Sequence, residues 1–164
     1  MRNRYFALAA VAALAACASH PAPQPIPETP APTQQAPSGP VAGSAEEFRV
    51  TVGDRVFFGY DRFDLTPEAR GILERQGAWL RRYPNVRLLV EGNCDERGTR
   101  EYNLALGARR AAAARDYLIS LGISGDRMTT VSYGKERPLD PRSNEEAWSV
   151  NRNAHSTIVS GAVS

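Results

Sequence analysis

Hydrophobic and polar positions fall into three regimes along this chain. From Tyr5 to Ala16 every residue is apolar or aromatic, behind a start that carries Arg2 and Arg4. Such a run is shorter than the roughly 20 residues a membrane-spanning helix needs. It has the form of a secretory h-region after a basic n-region. Residues 18–45 then lose apolar bulk almost entirely. From about Phe48 the pattern turns to that of a folded domain. Residues 48–52 alternate Phe48, Val50 and Val52 with polar side chains and predict a strand, and residues 55–58 predict a second. Ile72, Leu73, Gln76, Trp79, Leu80 and Tyr83 recur at three- and four-residue steps and predict an amphipathic helix. Thr66 can cap it, Pro67 suits its first position, Glu68 favours the dipole, and Pro84-Asn85 ends it. Residues 86–90 predict a mostly apolar strand. A second helix runs from about Arg100 to Leu121, with Ala111, Ala114, Leu118 and Leu121 toward a core and Gly122 as the stop. Residues 128–133 predict a strand closed by Gly134, Asn144 to Val150 a short helix, and residues 155–159 a last strand. Strands alternating with helices predict a sheet with helices packed on it.

Composition refines the division. The chain has 164 residues, enough for one domain with appendages. Eight of its 12 prolines lie between Pro21 and Pro40. That stretch cannot build a core and favours polyproline II, at about 3.1 Å per residue. A tether of this length reaches roughly 85 Å when fully extended. The expected organisation is a leader over residues 1–16, a tether over 17–45 and a folded domain over 46–164. Net charge is +2, and removing the leader with its two arginines leaves the mature chain about neutral. No basic stripe points to nucleic acid. The two cysteines, Cys17 and Cys94, sit in settings that do not suggest a disulfide framework. His20 falls in the tether and His155 stands alone, so no metal-ligand spacing is present and no cofactor is expected.

The densest chemistry lies between Glu91 and Arg110. The order is a strand end, the polar turn Asn93-Cys94-Asp95-Glu96-Arg97-Gly98-Thr99, and the start of the second helix. Asp95 belongs to the turn. Asn103, Leu106 and Arg110 step by three and four and so share one helix face. An acid from the turn and a base from the helix suit a small zwitterion bearing a carboxylate and an ammonium. Arg110 supplies a planar fork for the carboxylate and Asp95 an acceptor for the ammonium. The same two residues also fit a purely structural ion pair. An enzymatic reading would rest on Cys94 with His155, with no oxyanion hole or orienting group in view.

These residues resemble a known family. Leu14-Ala15-Ala16-Cys17 is similar to the bacterial lipobox, which implies lipid on Cys17 and, with Ser19 rather than Asp two residues on, sorting to the outer membrane. Three blocks carry the rest: Asp95-Glu96-Arg97-Gly98-Thr99 through Tyr102-Asn103, Leu106-Gly107 and Arg109-Arg110; residues 131–138; and residues 144–148 with Asn151-Arg152. Over roughly residues 50–160 the chain resembles the OmpA-like C-terminal domains of the peptidoglycan-associated lipoproteins of the Tol–Pal system. The resemblance implies an α+β two-layer sandwich, a mixed sheet of about four strands with two main helices on one face. It implies non-covalent binding of meso-diaminopimelate in peptidoglycan stem peptides, and no catalysis. Asp95, Arg110, Arg97, Gly98, Thr99, Asn103 and Leu106 would form the site, with Phe58, Tyr60 and Asp61 closing the other wall. It further implies a periplasm-facing domain anchored to the outer membrane, with the Tol system's periplasmic β-propeller protein as a second partner, in envelope integrity and cell division. An OmpA-like lipoprotein acting mainly as a protein-interaction module, and a wall hydrolase, are the alternatives. Two departures from the family pattern stand out: Asn93-Cys94 replaces a His and a small residue, and Asn153-Ala154-His155 replaces a more basic, apolar segment.

Overall fold

A computed structural model describes residues 39–163. The expected leader, the lipidated Cys17 and most of the tether lie outside the described residues. The elements run α1 (Ala45–Glu47), continued by a π-helical turn (Phe48–Gly53), β1 (Arg55–Phe57), α2 (Pro67–Arg82), β2 (Arg87–Asn93), α3 (Arg100–Ser120), β3 (Met128–Gly134), α4 (Glu145–Asn151) and β4 (Asn153–Ser160).

The four strands form one mixed sheet in the order β1-β4-β2-β3. β2 and β3 are parallel, as a crossover through α3 requires, while β4 runs antiparallel between β1 and β2. Val56, Leu88, Val90, Met128 and Ala154 face a core completed by Leu73 and Leu80 of α2 and by Ala111, Ala114 and Leu118 of α3. Both main helices start as their sequences predict. Thr66 accepts from the Ala69 N–H and Thr99 from the Tyr102 N–H, each at 3.2 Å. At the far end of α2, Arg127 donates to the Leu80 carbonyl, which the helix cannot satisfy itself, and to the carbonyls of Tyr83 and Val86 just beyond it.

The expected strand over residues 48–52 is helical instead. Alternation of Phe48, Val50 and Val52 suggested a strand, but only Phe48 and Val52 are buried, and Val50 is 58% exposed. Those two are one helical turn apart. Ser44 caps the Glu47 N–H, and the exit carbonyls of Val52 and Gly53 are taken by Arg75 and Gln76 of α2. Trp79 fixes the segment further: its ring packs 4.9 Å from Phe48, and its Nε1–H donates to Glu47. Tertiary partners on α2 therefore override the local β preference.

One contact sets how α3 lies on the sheet. A Cβ on Gly92 would come within 1.8 Å of the Gly107 carbonyl oxygen, and one on Gly107 within 2.3 Å of Ser132 Oγ. α3 thus lies backbone to backbone on β2, and no larger residue fits at either position. This close approach brings the first half of α3 down onto the C-terminal end of β2.

Candidate functional site

β2 runs three residues further than its apolar pattern suggests, with a register irregularity between Gly92 and Asn93. The Cys94 N–H still bonds to the Gly134 carbonyl at the end of β3. The chain leaves the sheet there, and Gly98, at φ 88°, makes the turn into α3 in a conformation that other residues adopt only with strain. The turn, the first half of α3 and the loop after β1 enclose a cavity of about 240 Å³. That is smaller than a typical drug-sized pocket and is on the scale of an amino-acid headgroup.

Eight of the ten expected site residues line this cavity: Tyr60, Asp61, Asp95, Arg97, Gly98, Asn103, Leu106 and Arg110. Thr99 caps α3 rather than lining the cavity. Phe58 lies behind the wall, its ring 5.3 Å from the Arg110 guanidinium. Cys94 and Tyr102, absent from the expected set, also line it. The Asp95 and Arg110 side chains share the cavity without pairing, and no carboxylate of the described residues lies within 4.0 Å of Arg110.

Arg110 is fully buried, with 0% exposure. Its Nε donates to the Arg62 carbonyl at 2.8 Å, Nη1 to Asn93 at 2.8 Å and Nη2 to Gly59 at 3.1 Å. A guanidinium has five N–H groups. After those three bonds, one proton remains on each terminal nitrogen. Burial pulls its pKa below the usual arginine range, with the Cys94 and Asp95 side chains opposing that shift. A buried cation whose oxygen partners are all neutral carbonyls, with the Cys94 sulfur beside it and Asp95 unpaired with it, is costly unless an anion completes it.

Asp95 is buried and already engaged. Its Oδ1 accepts from the Arg97 backbone N–H and Nε, and its Oδ2 from Arg97 Nη2 at 2.6 Å and Arg152 Nη1 at 3.3 Å. Burial would push the carboxyl up, but the hydrogen bonds from Arg97 and then Arg152 outweigh it and hold the pKa low. Arg97 is itself clamped, 4.1 Å from the ring centroids of both Tyr60 and Trp148. Sequence reasoning counted Arg97 among the site residues and gave Arg152 and Trp148 no part. Both stood in a motif block of the sequence, but nothing local tied them to Asp95. Asn103 braces the turn by donating to the Arg97 and Thr99 carbonyls. On the opposite wall Asp61 adopts φ 55°, uncommon for a residue with a side chain, and accepts a hydrogen bond from the Tyr102 hydroxyl.

The two departures from the family pattern prove to be neighbours. Asn93 Nδ2 donates to Asn153 Oδ1 at 3.0 Å, and Asn153 is fully buried. The Asn93 carbonyl is one of the three that hold Arg110. His155 sits between Glu91, at 2.7 Å, and Asp54, at 3.2 Å. Despite the changed sequence, β4 pairs with both β1 and β2.

The OmpA family model matches residues 57–152. A peptidoglycan-associated lipoprotein of Rhizobium meliloti is 54% identical over 120 residues, covering 73% of this chain and 68% of that protein. One from Mesorhizobium japonicum is 47% identical over 156 residues, covering 95% of this chain and 90% of its own length. Among solved structures, the peptidoglycan-associated lipoprotein from Burkholderia pseudomallei matches with a TM-score of 0.63 at 38% identity, over 64% of this chain and 89% of that one.

Proposed function

The chain belongs to the OmpA family and, within it, to the peptidoglycan-associated lipoproteins, and from that premise we propose that its domain grips the diaminopimelate of peptidoglycan stem peptides. The free end of that residue bears a carboxylate and an ammonium on one carbon. The observation that carries the reading is Arg110: fully buried, lining the cavity, with a proton left on each terminal nitrogen and no acidic partner among the described residues. A ligand carboxylate completes it as a two-pronged pair. Asp95 takes the ammonium, sharing its oxygens with Arg97 or drawing one away from it. Leu106, 6% exposed, supplies apolar contact for the methylene chain.

In this reading residues 1–16 are a leader removed on export, Cys17 carries lipid in the outer membrane, and the proline-rich tether over 17–45 lets the domain at 46–164 reach the wall from the periplasmic side. Association with the Tol system's β-propeller protein, and roles in envelope integrity and cell division, belong to the same proposal. No catalysis is involved. The Cys94 thiol donates to the Asn103 carbonyl, and burial pushes its pKa up to about 11, the opposite of what a nucleophile needs. His155 lines a different cavity.

Retention of the protein by purified sacculi tests the reading. Walls built on diaminopimelate retain it. Walls built on lysine, whose side chain lacks the terminal carboxylate, leave Arg110 uncompensated, at a cost of about 1.5–3 kcal/mol. Equal retention by both would sink the proposal.

A further inference from the structure

A second concavity of about 190 Å³ abuts the first across a wall one loop thick. Residues of the turn alternate between the two. Asp95 and Arg97 line the first cavity, while Glu96 lines the second. Trp148 belongs to the partition: its ring stacks on Arg97, its Nε1–H donates to Glu96 Oε1 at 3.0 Å, and it also lines the second cavity. Lys135, the only lysine in the chain, braces the partition from the same side through the Glu96 and Gly98 carbonyls. These two bonds leave one ammonium proton unused.

The chemistry of the second cavity differs from that of the first. Its four charged side chains are two acids, Glu96 and Asp140, and two bases, Lys135 and Arg142, so it carries no net charge. Asp140 and Arg142 already neutralise each other at 2.7 Å. An anion or a cation gains little there. A neutral ligand with many hydroxyl groups, each both donor and acceptor, can use acids and bases together. The indole and the rings of Pro138 and Pro141 add apolar surface, as the C–H face of a sugar requires. A few convergent polar groups around an apolar wall is the usual form of a small-molecule site.

We propose that this second cavity is a sugar subsite, holding a pyranose ring of the glycan strand that carries the stem peptide. The inference rests on the stem-binding reading above and extends it along the same polymer. Two residues separate diaminopimelate from the sugar in such a stem, which provides about 7 Å of chain. The partition to be crossed is the Arg97–Trp148 pair, whose guanidinium carbon lies 4.1 Å from the indole ring centroid. A continuous ligand that passes over this pair occupies both cavities, and linking the two contacts raises affinity without any new contact in the first.

Calorimetric titration of the whole protein tests this with two ligands, a diaminopimelate tripeptide and the same tripeptide on its amino-sugar disaccharide. The disaccharide form binds about tenfold tighter. Asp140→Ala and Arg142→Ala, neither of which lines the first cavity, leave tripeptide affinity unchanged and cut the sugar increment to below about threefold. Equal affinity for the two ligands overturns the sugar subsite and leaves the stem-binding reading intact. An increment that survives both variants also overturns it. If neither ligand binds, both readings fall.

Discussion

Replacing Arg110 with lysine separates what this residue does for the fold from what it does for a ligand. The guanidinium spends three N–H groups on the carbonyls of Arg62, Asn93 and Gly59. A lysine ammonium has three protons in all. In Arg110→Lys it keeps the charge and can serve the same carbonyls, but nothing is left for a carboxylate. Two charge-assisted hydrogen bonds to the ligand disappear, each worth about 1.5–3 kcal/mol. The retained charge recovers part of that, so the net loss is about 3 kcal/mol, or roughly a hundredfold in Kd. The cost to folding is small by comparison, about 1–2 kcal/mol for poorer geometry and lost packing against Phe58. Arg110→Ala forms the contrast: it orphans three carbonyls and opens a cavity, at about 3–5 kcal/mol of stability. Urea denaturation reads the fold, and titration with a diaminopimelate tripeptide reads the site. A folded Arg110→Lys protein that binds within about threefold of the native chain would refute the assignment of the two spare protons.

Further predictions address the rest of the structure. Asp95 has its pKa lowered by Arg97 and Arg152, so its contribution to stability is complete above its unfolded value of about 3.9 and fades as pH falls through the lower native value. Urea midpoints should drop between pH 6 and pH 3 by more in the native chain than in Asp95→Asn, and identical pH profiles would contradict the pairing. Gly92→Ala puts a Cβ into the Gly107 carbonyl and forces α3 off β2. A loss of at least about 3 kcal/mol is expected in chemical denaturation, and a fully stable variant would show that the Gly107 backbone does not rest on Gly92. Cys94 should resist alkylation at pH 8 in a Cys17→Ser background until the protein is unfolded, because burial pushes its thiol up to about 11. Rapid labelling of the native protein would reopen the thiol chemistry. Cys94→Ala should leave tripeptide affinity within about twofold, as expected for a wall residue with no bond to the ligand.

Much of this molecule was written in short-range pattern. The stripe from Ile72 to Tyr83 and the caps at Thr66 and Thr99 determine α2 and the start of α3, because helix periodicity and capping involve residues three or four apart. The turn at Gly98 and the shared helix face of Asn103, Leu106 and Arg110 follow from the same local rules. Other features have no local signature. The residues at 48–52 alternate like a strand and become helical because Arg75, Gln76 and Trp79 of α2 receive them. Two unusual asparagines, 60 positions apart, are visible in the sequence only as oddities, and the sheet makes them hydrogen-bonded partners. Arg152 reaches Asp95 across 57 positions, and Trp148 closes on Arg97, because β4 inserts between β1 and β2 and carries α4 to the end of β2. Sequence alone decides which groups are available and which face of an element they occupy. Only the sheet order and the glycine-to-glycine contact of α3 on β2 decide which of those groups meet, since such juxtapositions depend on long-range register that no window of neighbouring residues contains.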